Sequence, residues 1–68
     1  MTINRLRENF MRENKGKNIT LIFANGFQMR GRLVDYDEND VLIDTNAYSS
    51  PPVTIQQASV NAFIPARN

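Results

Sequence analysis

The sequence predicts a small, mainly β protein: a short N-terminal α-helix, then five short strands in a strongly bent antiparallel barrel. Three observations predict it. Apolar residues recur at helical spacing over 3–14, whereas from Lys17 onward they alternate. An Asn25-Gly26 pair separates two alternating runs, as in a hairpin. Gly31 interrupts the longest run, and a mid-strand glycine marks a sharp bend or a close approach of two backbones.

The elements follow in order. Ile3, Leu6 and Phe10 fall on one helical face, so a helix is expected over 3–15 with Arg5, Glu8 and Arg12 turned to solvent. Thr2 or Asn4 caps its start, and Gly16 takes the left-handed position after its end. So short a helix is marginal alone and must dock on something. The barrel occupies 17–65. Its first strand places Ile19, Leu21 and Phe23 on one face and Thr20 and Ala24 on the other. Asn25-Gly26 supplies two positive-φ positions for a tight hairpin turn. The second strand runs from Phe27 to about Tyr36, with Phe27 and Met29 opposite Gln28 and Arg30. Asp37–Asp40 is a turn in which Asp37 bonds its own backbone, and Val41–Ile43 is the third strand. A polar loop over 44–52 ends in Ser49-Ser50-Pro51-Pro52. Val53–Ile55 and Val60–Ile64 are the fourth and fifth strands, the last stopped by Pro65. This order suits a curved barrel of the SH3-like kind. No internal repeat or second domain is visible, so residues 1–68 read as one domain.

Composition narrows the function. Hydrophobic residues make up 41% and charged residues 22%, an ordinary globular balance. A chain of 68 residues buries only roughly 60% of the surface its unfolded form exposes. With no Cys and no His it has neither disulfides nor the usual metal ligands to staple it, so self-assembly is the remaining route to buried area. No apolar run approaches the roughly 20 residues that cross a membrane, and the first residues hold no apolar leader, which predicts a cytoplasmic protein. Net charge is +1 but polarised. Residues 1–32 hold seven Lys/Arg and two Glu, +5; residues 33–68 hold one Arg and five acids, −4.

Catalysis is not expected. The chain has no nucleophile elbow, phosphate-cradling glycine loop or zinc spacing, and no cofactor or metal is implied. Asp35, Asp37, Glu38 and Asp40 lack the spacing of a calcium loop and read as a solvated turn.

The run Asn25-Gly26-Phe27-Gln28-Met29-Arg30-Gly31, with the helix before it and Tyr36-Asp37 after it, resembles the first Sm motif of the bacterial Hfq family. The likeness is carried by residues 6–43 and is weaker over 44–64. It implies an Sm-like fold and a homo-oligomeric ring, usually of six subunits, with five or seven also open. A head-to-tail pairing of the fourth strand with the next copy's fifth closes such a ring and removes the open sheet edges.

The resemblance also implies single-stranded RNA as the partner. In Hfq one ring face binds purine-rich RNA, and its lining falls here on Asn25, Gly26, Phe27, Gln28, Met29 and Arg30. Phe27 and Met29 offer apolar surface for a base, Gln28 an amide for a base edge, and Arg30 a phosphate contact. The competing reading makes Phe27 and Met29 core and Arg30 a solvated charge. Where the family carries a base-stacking aromatic at the end of the first strand, Ile22 stands here. The pore motif of the opposite face corresponds to Ile55-Gln56-Gln57-Ala58, so both basic positions are Gln, and a further stacking aromatic is replaced by Asn39 or Asp40. Gln56, Gln57 and Asn39 are therefore candidate pore-type contacts without positive charge, with a structural role for the two glutamines equally open, and uridine-tract binding there is expected to be weak or absent. The acids Asp35, Asp37, Glu38, Asp40 and Asp44 lie in the same half of the chain. The family's basic rim corresponds to Arg12, with Lys15 and Lys17 nearby, unless these are only the wet side of a helix.

The resulting expectation is a non-enzymatic Sm-like ring that binds A-rich or purine-rich RNA and, by holding two RNAs together, acts as an RNA chaperone. The alternatives are a structural or protein-interaction ring without RNA binding, and a monomeric barrel that reads proline-rich peptides.

Overall fold

The computed structural model describes residues 5–45 and 51–65. Helix α1 spans Arg5–Asn14 and is followed by β1 (Asn18–Phe23), β2 (Gln28–Tyr36), β3 (Asp40–Asp44), β4 (Val53–Gln56) and β5 (Val60–Ile64). A single 3-10 turn, Gln57–Ser59, joins β4 to β5. All pairings are antiparallel, and the strand order is β4-β3-β2-β1-β5. The sheet is strongly bent, as the sequence predicts, and open, with β4 and β5 as its two edges.

The bend belongs to β2. Its first half pairs with β1 from Gln28 to Arg32, and its second half pairs with β3 from Arg32 to Tyr36. A register shift between Leu33 and Asp35 sharpens the turn of the strand. Gly31 sits at the hand-over. A Cβ there would lie 2.5 Å from Ile43 Cγ2 and 2.8 Å from the Asp44 carbonyl oxygen, so only glycine lets the two strands approach this closely.

The core is Met11, Ile19, Leu21, Leu33, Val41, Ile43 and Val60. Each of its aliphatic side chains contributes about 1.5–3 kcal/mol by leaving water. Ile19 and Leu21 on β1, and Leu33 on β2, are the inward positions of a period-two pattern.

The docked face of the helix keeps Phe10 from the predicted stripe but is rotated away from Leu6. Leu6 is 82% exposed, whereas Met11 and Asn14 are buried. Ile3, and the capping residues Thr2 and Asn4, lie outside the described residues. Contact runs along Arg7, Phe10, Met11 and Asn14, the i, i+3, i+4, i+7 set. Phe10 meets the Phe63 ring at 6.0 Å between centroids, and the Arg7 guanidinium lies 5.5 Å above the same ring. A polar residue ends this stripe without cost because the Asn14 side-chain amide donates to the Phe10 carbonyl at 2.9 Å. Gly16 does take the left-handed conformation, φ 87°, and its N–H donates to the Leu33 carbonyl at 2.7 Å.

The hairpin also departs from expectation. The Gly26 N–H donates to the Phe23 carbonyl at 2.9 Å, which makes Ala24 and Asn25 the central turn residues. The connection is therefore the three-residue kind, with Gly26 (φ 87°) in the left-handed position, rather than a two-residue turn centred on Asn25-Gly26. Phe27 falls just before β2 instead of within it. Among the described residues no helix is long and apolar enough to cross a membrane.

Candidate nucleic-acid interface

The hairpin places its residues in three different environments. Asn25 and Gly26 form the exposed tip, and the Asn25 side-chain oxygen accepts the Phe27 N–H at 2.9 Å. This fixes Phe27 in place, 61% exposed, with its ring leaning on Phe23 at 6.1 Å between centroids and 38° between planes. The Phe27 side chain is thus a supported aromatic surface open to solvent.

Along β2 the alternation separates Met29 from its neighbours. Gln28, Arg30 and Arg32 are exposed, while Met29 is half-buried and packs against the core. The core reading therefore describes Met29, and the surface reading describes Phe27. In register with the exposed row, β1 sets Ile22 opposite Gln28, Thr20 opposite Arg30 and Asn18 opposite Arg32. Ile22 is half-buried and aliphatic, so the exposed aromatic of this hairpin is Phe27 at its tip, backed by half-buried Phe23.

Arg32 was not among the residues predicted for the interface. Its signal is the same period of two that exposes Arg30. On its other side β3 sets Asp44 opposite it, and one Arg32 Nη2 to Asp44 Oδ2 contact of 3.5 Å joins them.

The pore-type candidates are arranged differently. Gln57 is buried, and its Nε2 donates to the Asp37 carbonyl and to the Asp40 carbonyl. Its backbone N–H donates to the Asn39 carbonyl at 2.8 Å. Both amide donors of Gln57 therefore hold the 37–40 turn, a task that no local sequence signal announces because the partners are about twenty residues apart. Gln56 and Asn39 are exposed. Within the turn the Asp37 carboxylate accepts the N–H groups of Asn39 at 2.8 Å and Asp40 at 2.7 Å. These bonds, that from Asp40 first, hold its carboxyl below the usual carboxylate range, against a small opposing effect of burial. A shallow open pocket beside the turn is lined by Asp35, Tyr36, Asp37, Asp40 and Thr54, among others, the wrong sign for a phosphate.

On the helix, Arg12 is exposed and donates to the Asn9 side-chain oxygen. Lys15 pairs with Asp35 at 3.5 Å, both well exposed, and Lys17 is exposed.

No protein-family model and no curated protein matches this sequence. Among solved structures it is similar to the crystal structure of the pleiotropic translational regulator Hfq, with a TM-score of 0.75 and 22% identity over 88% of this chain and 98% of that one. At that identity the likeness establishes the fold: one helix and five antiparallel strands in the bent, open sheet of the Sm type.

Proposed function

We propose that this chain is the subunit of an Sm-like ring that binds single-stranded RNA, preferring A-rich or purine-rich sequence, at the hairpin segment Asn25, Gly26, Phe27, Gln28, Met29 and Arg30, through its outward side chains. The observation that carries the reading is the hairpin's solvent side, where an exposed aromatic, an exposed amide and an exposed arginine follow one another at positions 27, 28 and 30. Stacking a base on Phe27 supplies about 1–3 kcal/mol. The Gln28 amide matches the paired donor and acceptor that adenine presents at N6 and N7. Arg30 contacts phosphate, and Met29 supports the strand from the core side.

The ring reading rests on the free sheet edges. β4 and β5 are the two outer strands, and each leaves an apolar side chain partly exposed: Val53 and Ile64, both 39%. Pairing β4 of one copy with β5 of the next covers both and satisfies the edge hydrogen bonds. Six subunits is the proposed number, with five and seven as the neighbouring solutions. The whole of 1–68 acts as one non-enzymatic domain, in the cytoplasm where its RNA partners are.

A chaperone role requires a second RNA surface. Gln56, Gln57 and Asn39 supply no positive charge, and Gln57 is spent on the neighbouring turn. The second surface therefore falls to Arg12, Lys15 and Lys17.

A ring without RNA binding is the rival reading, favoured by the net charge of +1 and by carboxylates that pair with Lys15 and Arg32. Native mass spectrometry with A-rich and U-rich oligonucleotides in competition separates the two. The proposal expects a ring carrying mainly the A-rich strand. A ring that stays bare at near-physiological salt supports the rival, and a monomer removes both.

A further inference from the structure

We propose that the RNA track continues from the hairpin along the outward face of β1 and β2 to Arg32, and that Asp44 occupies the Arg32 guanidinium as a resident stand-in for phosphate until RNA displaces it. This inference rests on the RNA reading above and adds a phosphate site and its intrinsic competitor.

The geometry comes from register. Gln28, Arg30 and Arg32 are alternate exposed positions of β2, and two residues along a strand advance about 7 Å, so the two arginines follow one another on the outward row, one on each side of the bend at Gly31. That spacing is comparable with the reach between successive phosphates of an extended single strand. Thr20 and Asn18 on β1 lie directly beside the two arginines and offer a hydroxyl and an amide. A strand that stacks a base at Phe27 and meets Arg30 is thereby led toward Arg32.

Asp44 is placed to oppose this. It lies opposite Arg32 across β2 and β3, partly buried, and reaches it through one contact of 3.5 Å, while the Arg32 side chain stays half-exposed. The Arg32–Asp44 contact is long and its groups are partly exposed, which makes that pairing weak, whereas phosphate engages guanidinium through two parallel hydrogen bonds. Phosphate therefore displaces the carboxylate, and the carboxylate lowers the affinity of the empty site. The arrangement joins the two oppositely charged halves of the sequence: an acid from the −4 half sits on a cation of the +5 half.

The test is a double-mutant cycle read by fluorescence anisotropy of a labelled A-rich oligonucleotide over a range of salt. Asp44→Asn is expected to tighten binding roughly threefold, the scale of an exposed ion pair. Arg32→Ala is expected to weaken binding and to lower the salt slope by about one. In the Arg32→Ala background, Asp44→Asn should have no effect. Arg32→Lys, which keeps the charge and loses the fork, should retain the slope and part of the affinity. If Asp44→Asn tightens binding equally with and without Arg32, Asp44 acts only through bulk charge and the proposal is overturned. If Arg30→Ala weakens binding while Arg32→Ala and Asp44→Asn do nothing, the RNA reading stands and this inference fails. A wild-type protein that binds no oligonucleotide removes both. Circular dichroism of each variant separates loss of contact from loss of fold, and Arg32→Lys stands in if Arg32→Ala unfolds.

Discussion

The turn at 24–27 and the turn at 37–40 begin from one device, an Asx-type oxygen that accepts a backbone N–H two residues on. Asn25 does this for Phe27 at 2.9 Å, and Asp37 for Asn39 at 2.8 Å. Beyond that they diverge. The first turn spends one side-chain oxygen on itself and leaves Phe27, Gln28 and Arg30 open to solvent. The second is clasped from outside by buried Gln57, which takes two of its carbonyls, and its remaining exposed charge is negative. The difference teaches how one fold can set two similar loops apart: a turn whose polar groups are taken up by the fold is scaffold, and one that leaves its side chains open to solvent is available to a ligand.

Breaking the joint between the two turns should have the largest effect. Gly31→Ala puts a methyl group against Ile43 and the Asp44 carbonyl where β2 passes from β1 to β3. It is expected to cost about 3 kcal/mol, the upper range for overpacking, as a lower urea midpoint. An unchanged midpoint would mean that the β2–β3 crossing has slack. Next comes Gln57→Leu, which strips two carbonyls of their donor and should cost about 2 kcal/mol while leaving the A-rich affinity of the folded protein unchanged. The reverse result, a stable protein with weakened RNA binding, would move the RNA site to the second turn.

Asp37 sharpens the comparison through pH. Its carboxyl is lowered in the fold from the ordinary 3.8 by the N–H groups of Asp40 and Asn39. The stability it adds is therefore present above about pH 3.8 and is lost as pH falls through the lowered value. Asp37→Asn should be less stable than wild type at pH 7, with the gap closing in acid. A gap that persists at the lowest pH would show that the charge is not what holds the turn. The smallest effect is expected for Asn25→Ala. It removes one exposed hydrogen bond, worth about 0.5 kcal/mol by thermal melting, and slightly loosens Phe27.

Much of the fold was legible in the sequence because it rests on short-range signals. The switch from helical to alternating spacing at Lys17, the bend at Gly31 and the left-handed Gly16 are all local, and all are found. The docked face of the helix was not legible. Leu6 marks the apolar stripe in sequence, yet the helix buries Met11 and sets Phe10 against Phe63 on β5, and the buried Asn14 is satisfied by the carbonyl of Phe10. How the hairpin divides its side chains was not legible. Spacing alone puts Phe27 and Met29 on one face, but starting β2 at Gln28 leaves Phe27 at the tip and turns Met29 inward. The exposure of Arg32 was overlooked because Gly31 draws attention as the end of the motif, although the exposed row continues past it. The choice between a pore contact and a structural role for Gln57 was not legible, because the carbonyls it holds are distant in sequence.

The most direct test of the account is backbone hydrogen exchange with and without an A-rich oligonucleotide, compared between the two turns. The account predicts added protection over 25–32 on binding, with 37–40 and 56–57 unchanged. Protection that appears at 37–40 and 56–57 while 25–32 stays as it was would contradict it.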